Sequence, residues 1–376
     1  MIPGWKIKRE AHRLLDQIAS IPRKILEMSD RKRYDAERWE KISVTEGRGA
    51  PGDKFAIFLI YQPGPLPGSV LETCEYFCRH DYNIVLVSNG TLPDASRERL
   101  NACCRYILER PNFGYDFGGY RDGIHFLLGK AVSPSDLVIL NDSIWFPMVA
   151  GSAVLPRIES LQSDIGGLLM SPRRIGKLRK VTRLLSRRKP PFEFLESYFI
   201  HLRRPIWEST AFRDYWQTYE QSSSKAVTVK KGELGFSQAM AAAGFSLDAL
   251  LRRDLFIEDI RKRPESFLDK TLKYAAYSDA PFREAAKDLA SGKGGAELCE
   301  RKRAHVIAVA LRRRVNSSFC WATEEIFATH FIKKHNGFLF QKSREKYIEA
   351  VDAGDIVVDA PAALEEIRQR VARDKK

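Results

Sequence analysis

Two short polar stretches, residues 110–123 and 141–143, hold the side chains with the clearest chemical potential. The first, Arg-Pro-Asn-Phe-Gly-Tyr-Asp-Phe-Gly-Gly-Tyr-Arg-Asp-Gly, has the composition of a glycine-rich turn. The second, Asn-Asp-Ser, directly follows the apolar run Leu137–Leu140, which is typical of a buried parallel strand. In open α/β sheets, ligands lie beyond the carboxyl ends of such strands. We therefore expect both stretches to border one crevice, suited to a phosphorylated and hydroxyl-rich ligand.

The glycine turn does not follow the common nucleotide fingerprints. Its glycine spacing fails GxGxxG, and no Walker lysine accompanies it. Glycines let a backbone approach a ligand, and Asn and Asp side chains bind base or sugar hydroxyls. The alternative is a tight connection with no ligand. The candidate ligand-binding residues are Tyr61, Asn89, Asn112, Gly114, Asp116, Arg121, Asn141, Asp142 and Ser143.

Asp142 is the one carboxylate of the Asn-Asp-Ser triplet. Magnesium in nucleotide sites is often held by one or two carboxylates, with the ligand's phosphates completing the octahedron. A single Asp is therefore enough for Mg²⁺ or Mn²⁺. The triplet is not a true Asp-x-Asp, so metal dependence stays open. The alternative role for Asp142 is to brace the following turn.

Glu233 is the third candidate. It follows Ala226–Val229, a β-branched segment that predicts a strand, and precedes a predicted helix over Gly235–Ala243. An acid is favoured at a helix N-terminus, and we expect Lys230 and Lys231 to keep this one ionised. An ionised carboxylate beside a hydroxyl-rich ligand is suited to deprotonate an acceptor hydroxyl as a general base. An ordinary helix acid is the alternative.

Strand and helix patterns alternate from about residue 53 onward, which predicts βαβ units and a mostly parallel sheet. The predicted strands are Phe55–Ile60, Asn83–Val87, Tyr106–Leu108, Leu137–Leu140 and Gly166–Met170. The predicted helices are Gly68–His80, Asp94–Cys103, Gly119–Leu128, Phe192–Leu202 and Ser209–Gln217, with a last one that has Pro361 in its first turn. We divide the chain into an N-terminal helical region (1–50), an α/β domain (51–275) and a helical C-terminal region (276–376).

The composition suits a globular protein. Its 376 residues are 44% hydrophobic, enough for a sizeable core. No apolar stretch approaches the ~18 residues of a membrane span, and we expect no secretory signal. Six cysteines, among them Cys74 with Cys78 and the adjacent Cys103 and Cys104, lack the spaced pairs of a zinc site. We interpret them as ordinary buried thiols in a reducing cytoplasm.

Positive charge is concentrated in two places, within a net charge of +14. Residues 5–28 predict a basic amphipathic helix, suited to a membrane interface or to packing on protein. Residues 171–191 contain nine Lys or Arg residues and no acid. This stretch is either a solvated loop or a surface for an anionic partner such as a phospholipid, a lipid diphosphate or nucleic acid. The candidate acceptor or membrane contacts are Arg173, Arg174, Lys177, Arg179, Lys180 and Arg183.

The order of these features resembles a GT-A glycosyltransferase: an opening strand, an Asn-x-Gly turn, a strand ending in an acidic triplet, and a later acid before a helix. Inverting members of that class place the catalytic acid eleven residues before a helix-ending glycine, as Glu233 stands to Gly244. More narrowly, residues 53–345 resemble the rhamnan synthesis protein F family. The matching pieces are the run Arg110–Arg121, Leu140-Asn-Asp-Ser, Glu196-Ser-Tyr-Phe, Gly232-Glu-Leu through Ala243-Gly-Phe, Asn316-Ser-Ser-Phe-Cys-Trp and Phe331-Ile-Lys.

The chain departs from that family at three positions. Phe146 replaces the glycine of Asn-Asp-Ser-x-x-Gly-Pro, and Phe194 and Glu196 stand where His-Leu-Gln-Ser-Tyr-Phe has His and Gln. A role for that histidine therefore does not transfer to this chain.

The resemblance implies a GT-A-like nucleotide-sugar-binding fold and a hexosyltransferase of rhamnosyltransferase type. The donor would be dTDP-L-rhamnose or a similar nucleotide-sugar, with Mg²⁺ or Mn²⁺ as an optional cofactor. The acceptor would be a lipid-linked or polyprenyl-diphosphate-linked glycan of a cell-surface polysaccharide or lipopolysaccharide. The protein would be cytoplasmic and peripheral at the inner face of the cytoplasmic membrane, without a nucleic-acid partner; self-association is left open.

Two alternatives accompany this interpretation. In a retaining transferase, or another nucleotide-sugar enzyme, Glu233 would orient the substrate instead of deprotonating it. A non-enzymatic basic protein would bind nucleic acid through residues 173–189 with a steep salt dependence. The second alternative does not explain the glycine turn.

Overall fold

The computed structural model describes residues 21–49, 52–172, 192–292 and 295–375. Most of the predicted helix over residues 5–28, and the whole basic stretch 173–189, lie outside these ranges. The strands are β1 Ser43–Glu46, β2 Lys54–Ile60, β3 Tyr82–Asn89, β4 Cys104–Arg110, β5 Asp136–Asn141, β6 Ile144–Trp145, β7 Ile165–Gly167, β8 Met170–Pro172, β9 Glu193–Leu195, β10 Phe199–Arg203 and β11 Ile332–Lys333.

Helices connect and flank these strands. Those of the first part of the chain are α1 Ile21–Lys41, α2 Gly68–Arg79, α3 Asp94–Asn101, α4 Tyr115–Gly129, α5 Val154–Glu159, α6 Arg204–Glu208, α7 Thr210–Thr218, α8 Lys225–Thr228, a π-helical turn Val229–Glu233 and α9 Leu234–Ala242. Those of the second part are α10 Arg253–Lys262, α11 Glu265–Lys273, α12 Ala280–Ser291, α13 Ala296–Arg312, α14 Val315–Ser318, α15 Cys320–Phe327, α16 Phe338–Asp352 and α17 Pro361–Asp374.

The main sheet has seven strands in the order β1-β4-β3-β2-β5-β10-β7. Strands β4, β3, β2 and β5 are parallel, and β1 and β10 pair antiparallel with their neighbours. Helices cover the sheet, so the predicted α/β class with a mostly parallel mixed sheet is confirmed. The chain runs from β2 outward to β4 and then returns to the other side of β2 as β5. The carboxyl ends of β2 and β5 therefore form a topological switch point, the usual ligand position in such sheets.

The strands form because their apolar runs are buried on both faces. Along β2, Ala56, Phe58 and Ile60 face one core, and the alternate residues Ile57 and Leu59 face the other. This two-residue period is that of a strand between two layers of helices. The first core extends through α2 and the helices after residue 250.

Helix α4 packs unusually close to the sheet. A β-carbon on Gly119 would lie 2.4 Å from Cδ1 of Leu59, and one on Gly123 would lie 2.8 Å from Cγ2 of Ile57. We expected the glycines of this turn to admit a ligand, but these two instead let α4 contact β2. Gly114, just before the helix, has φ of 82°, a left-handed conformation that favours glycine.

Two predicted elements are wrong. Residues 192–202, predicted as a helix, form β9 and β10, because Ile200 and Leu202 pack into one core while Phe199 faces the other. Residues 226–229, predicted as a strand, are helical. Here α8, the π-helical turn and α9 follow one another without interruption, so tertiary packing outweighs the β-propensity of four residues.

The segments outside the predicted 51–275 domain pack onto it. Strand β1 extends the main sheet, and Val309, Trp321 and Ile367 share a core cluster with Phe58. The three-region division remains a prediction. Within the described ranges, no helix combines the length and apolar character that a membrane span requires.

Candidate active site

A cavity of about 520 Å³ opens at the carboxyl end of β5. It brings together the start of α4, the end of β5, the segment after β9, the π-helical turn and the loop around β11. Acidic, polar and basic side chains line it. The acids are Asp116, Glu196 and Glu233, the polar groups include Asn141, Ser143 and Ser197, and the bases are Lys225, Arg314, Lys333 and Lys334.

Ser197 lies between the two carboxylates nearest the glycine turn. Oε1 of Glu233 accepts hydrogen bonds from the backbone N–H of Ser197 at 2.9 Å and from its hydroxyl at 3.0 Å. The same hydroxyl lies 3.4 Å from Oδ2 of Asp116. Residues more than a hundred positions apart therefore form one acidic cluster at the cavity wall.

The electrostatic environment of Glu233 differs from the expected one. Burial, and then the charge of Glu196, raise the pKa of Glu233 to about 7. The predicted neighbours do not keep it ionised, because Lys231 pairs with Glu220 at 2.6 Å. Glu233 also does not begin a helix, since it ends the π-helical turn that continues into α9. A carboxyl group with a pKa near neutrality is well matched to general-base work.

Glu196 organises the positive side of the cavity. Its carboxylate pairs with Arg314, lies 4.0 Å from Nζ of Lys333, and accepts a hydrogen bond from the Ser171 hydroxyl at 2.8 Å. Burial alone would raise the pKa of Glu196, but Arg314 and Lys333 hold it below the usual value. The carboxylate therefore remains charged.

Lys333 and Lys334 come from β11 and its end. Burial lowers the pKa of Lys333 to about 8, and its Nζ lies 3.5 Å from the centre of the Tyr198 ring. Burial also lowers the pKa of Lys334. The cavity's bases were not among the predicted site residues. The one signal for them in the sequence was the late motif Phe331-Ile-Lys, which ends at Lys333.

The Asn-Asp-Ser triplet has divided roles. Asn141 and Ser143 line the cavity, and Oδ1 of Asn141 accepts a hydrogen bond from the Ser143 N–H at 3.0 Å. Asp142 is not among the lining residues. Its Oδ2 accepts from the N–H of Tyr61 at 3.1 Å and from Nε2 of Gln62 at 2.6 Å, which ties the end of β2 to the end of β5.

Five other candidate residues lie away from the cavity lining. Nη1 of Arg121 lies 2.6 Å from Oδ1 of Asp35 on α1, and Asn89 accepts a hydrogen bond from the guanidinium of Arg110. Asn112 and the Tyr61 side chain are exposed. Gly114 packs against the Gln221 side chain.

A buried network explains why this part of the turn is so polar. Asp122 accepts hydrogen bonds from Nε of Arg110 at 2.7 Å and from the Tyr34 hydroxyl at 2.6 Å. Arg110 also donates to the carbonyl of Phe113 at 2.7 Å. The polar groups thus fix the glycine turn to α1. The candidate contacts Arg173, Arg174, Lys177, Arg179, Lys180 and Arg183 lie outside the described residues.

Comparisons with known proteins agree with the sequence resemblance. Residues 84–271, half of the chain, match the family model RgpF, rhamnan synthesis protein F. The uncharacterized protein y4gN of Sinorhizobium fredii is 28% identical over 351 residues, which cover 92% of this chain and 85% of that protein. Among solved structures, the mannosyltransferase PcManGT from Pyrobaculum calidifontis, in complex with GDP-Man and Mn²⁺, aligns with a TM-score of 0.28 and 11% identity. That alignment covers 97% of this chain and 95% of that one, and its score is too low to support an argument.

Proposed function

The chain belongs to the rhamnan synthesis protein F family and is a glycosyltransferase, and from this premise we propose how its cavity works. The cavity binds a nucleotide-sugar, with L-rhamnose or another deoxysugar as the transferred group. The acceptor is a growing cell-surface polysaccharide on a lipid carrier. One observation carries the proposal: a 520 Å³ cavity that combines Glu233, with its pKa near 7, and a cluster of cationic side chains.

The cations would hold the donor's diphosphate. Arg314, Lys333 and Lys334 line one part of the cavity. When the glycosidic bond of a nucleotide-sugar breaks, negative charge develops on the departing diphosphate. Fixed positive groups in a water-poor site stabilise that charge strongly. Arg314 and Lys333 are already held in place by Glu196, so little reorganisation is needed.

Glu233 would take the proton from the acceptor hydroxyl. Its carboxylate is fixed by two hydrogen bonds from Ser197, which leave Oε2 as the oxygen for a third partner. Direct attack by an activated hydroxyl, on the face opposite the leaving diphosphate, inverts the sugar's anomeric configuration. Asp116, beside the same serine, would bind sugar hydroxyls.

The residues around Asp142 fit a divalent metal poorly. Asp142 is the one carboxylate of the Asn-Asp-Ser triplet, and its Oδ2 already accepts two hydrogen bonds. The nearby Lys334 also supplies positive charge. A metal ion would stabilise the diphosphate as a Lewis acid. The positive charges of the lysines and the arginine can stabilise the diphosphate instead. Activity should therefore persist after divalent metals are removed with a chelator.

The chain's basic stretch supports a lipid-linked acceptor at the cytoplasmic membrane surface. In the sequence this stretch lies between β8 and β9. Strand β9 is followed directly by Glu196 and Ser197, which lie in the cavity wall. Nine cations without an acid are suited to lipid phosphates. The charge of this stretch therefore favours an acceptor that carries a lipid diphosphate.

A binding screen tests the donor assignment. Ligands that bind only the folded state stabilise it, by about 2.7 kcal/mol when the ligand concentration is a hundred times Kd. This stabilisation raises the melting temperature. We expect dTDP-L-rhamnose or another nucleotide-deoxysugar to stabilise the protein equally with EDTA and with Mg²⁺. A response to no nucleotide-sugar would overturn the proposal. For the retaining alternative, NMR of the product's anomeric proton decides the stereochemistry.

A further inference from the structure

Three cysteines meet at one point although they lie up to thirty positions apart. The Sγ atoms of Cys74, Cys103 and Cys104 all lie within 4.8 Å of one another. Cys74 is on α2, Cys103 lies in the turn after α3, and Cys104 is the first residue of β4. None of them lines the active-site cavity, and all are free thiols.

The turn before β4 makes this convergence possible. Successive residues of a strand point to opposite faces, so two adjacent cysteines within β4 could not both reach Cys74. Cys103, however, precedes the strand, and its N–H bonds to the Leu100 carbonyl at 3.1 Å. The chain therefore turns between Cys103 and Cys104, and both sulfurs end up beside α2.

Cys78 lies beside this cluster, although its sulfur is not within 4.8 Å of all three others. It lies one helical turn after Cys74, on the same face of α2. Its Sγ donates to the Cys103 carbonyl at 3.3 Å. Cys74 and Cys104 are buried, Cys103 is partly buried and Cys78 is exposed. The cluster thus has an apolar interior and an opening to solvent.

We propose that this cluster is a zinc site, with Cys74, Cys103 and Cys104 as ligands and Cys78 as the fourth. Zn–S bonds of about 2.3 Å in a tetrahedron place sulfurs about 3.8 Å apart, so the three sulfurs need to close by about 1 Å or less. Each thiol releases its proton to solvent as it binds. The ion would tie α2 to the start of β4, which is a structural role independent of sugar transfer.

Zinc titration of the full-length protein tests this inference. The protein is reduced, stripped with a chelator and titrated with Zn²⁺ against a chromophoric competitor, and native mass spectrometry gives the stoichiometry. We expect one tightly bound zinc per chain and, with Co²⁺, the absorption of a tetrahedral thiolate complex. C103S should weaken zinc binding by about 100-fold or more, because it removes one of the few thiolates that bind the ion. C78S should weaken it by about 10-fold.

C299S is the matched control, since Cys299 lies outside the cluster and should leave zinc affinity unchanged. Circular dichroism checks that each variant is folded. Should C103S not fold, alkylation of the wild-type protein provides the test, because zinc should protect Cys103 from iodoacetamide and leave Cys299 reactive. Absent or sub-stoichiometric binding, or equal affinity in C103S and C299S, would show that the cysteines are only packed thiols. Unchanged affinity in C78S would remove Cys78 from the ligand set.

Discussion

At the scale of single residues, Glu233 illustrates how burial prepares a group for chemistry. An exposed glutamate is a weak base at neutral pH because its conjugate acid is too strong. Burial and the charge of Glu196 raise the pKa of Glu233 to about 7, while the hydrogen bonds from Ser197 oppose that shift and fix the side chain. The position therefore combines orientation with basicity, as acceptor deprotonation requires.

Replacing Glu233 by glutamine tests the proposed base directly. E233Q keeps the shape of the side chain but cannot accept the acceptor's proton. We expect kcat to fall by about 10²–10⁴-fold with donor Kd nearly unchanged. E220Q is the matched control, since Glu220 is close in sequence and paired with Lys231 outside the cavity. An E233Q enzyme with full activity would rule out Glu233 as the base.

The pH profile of activity follows from two opposite shifts. Glu233 must be deprotonated to act, so kcat/KM should rise through about pH 7. Lys333 must be protonated to hold the diphosphate, so kcat/KM should fall above about pH 8. In K333R the alkaline limb should move to higher pH because arginine stays charged. A profile without the acidic limb in the wild-type enzyme would contradict the assignment of Glu233.

Glu196 offers a second test through its influence on Glu233. Its negative charge raises the pKa of Glu233, so E196Q should lower that pKa. The acidic limb of the pH profile should then move below pH 7. E196Q also removes the carboxylate that pairs with Arg314 and that raises the pKa of Lys333, so donor affinity should fall and the alkaline limb should move to lower pH. An acidic limb that stays at pH 7 would show that Glu196 does not act on the base.

The sequence indicated Asp116, Asn141 and Glu233 better than it indicated the cations of this site. Asp116, Asn141 and Glu233 stand in local patterns of glycine turn, strand end and helix start, and each lines the cavity. Arg314 has no local pattern and Lys333 has only the short motif Phe331-Ile-Lys, because the position of both residues depends on how the C-terminal region packs onto the sheet. Arg121 was predicted to bind the ligand because it lies in the glycine turn, but its guanidinium pairs with Asp35.

At the scale of elements, the π-helical turn sets the position of Glu233. Such turns widen a helix locally and are frequent at functional sites. Here the turn packs on α4, and Gly232 faces the Phe117 ring so closely that a β-carbon would lie 2.5 Å from its Cγ. The glycine therefore fixes the distance between the turn and the helix that carries Asp116.

A single methyl group at Gly232 tests that packing. G232A should push the turn away from Phe117, cost about 1–3 kcal/mol of stability, and reduce kcat by displacing Glu233. G129A is the matched control, because Gly129 is also a helical glycine but has open space around it. Thermal unfolding and steady-state kinetics measure both effects. If G232A and G129A had the same stability and the same kcat, the turn would be free to shift and would not position Glu233.

Most strands and helices before residue 190 could be predicted because their periodicity is local. Residues 192–202 and 226–229 could not, for two physical reasons, although the helix predicted between them over Ser209–Gln217 matches α7. The segment containing β9 and β10 mixes apolar residues with Glu193, Glu196, Ser197 and His201, and this pattern suits an amphipathic helix as well as two short strands. Three of residues 226–229 are β-branched, yet these residues lie at the start of the continuous helix of α8, the π-helical turn and α9, and so short a preference is too weak to prevent that helix.

At the scale of the whole molecule, the C-terminal region completes both the core and the site. It supplies Arg314, Lys333 and Lys334 to the cavity. Its last helix is anchored on α2, where Glu72 accepts hydrogen bonds from the N–H groups of Ala362 and Ala363. Donor binding and the folding of this region should therefore depend on each other.

Glu366 on α17 provides a test of that dependence. Its carboxylate accepts from the Ser69 N–H at 2.9 Å, from the Ser69 hydroxyl at 2.6 Å and from Nε1 of Trp145 at 2.8 Å. E366Q keeps the size but loses charge-assisted hydrogen bonds, so it should cost about 1–3 kcal/mol. E365Q, at the exposed neighbouring position, should cost almost nothing.

Because the C-terminal helices share a core with the sheet, calorimetry should show a single transition that E366Q lowers as a whole. Two transitions, with E366Q lowering one of them, would instead make residues 276–376 a separate folding unit.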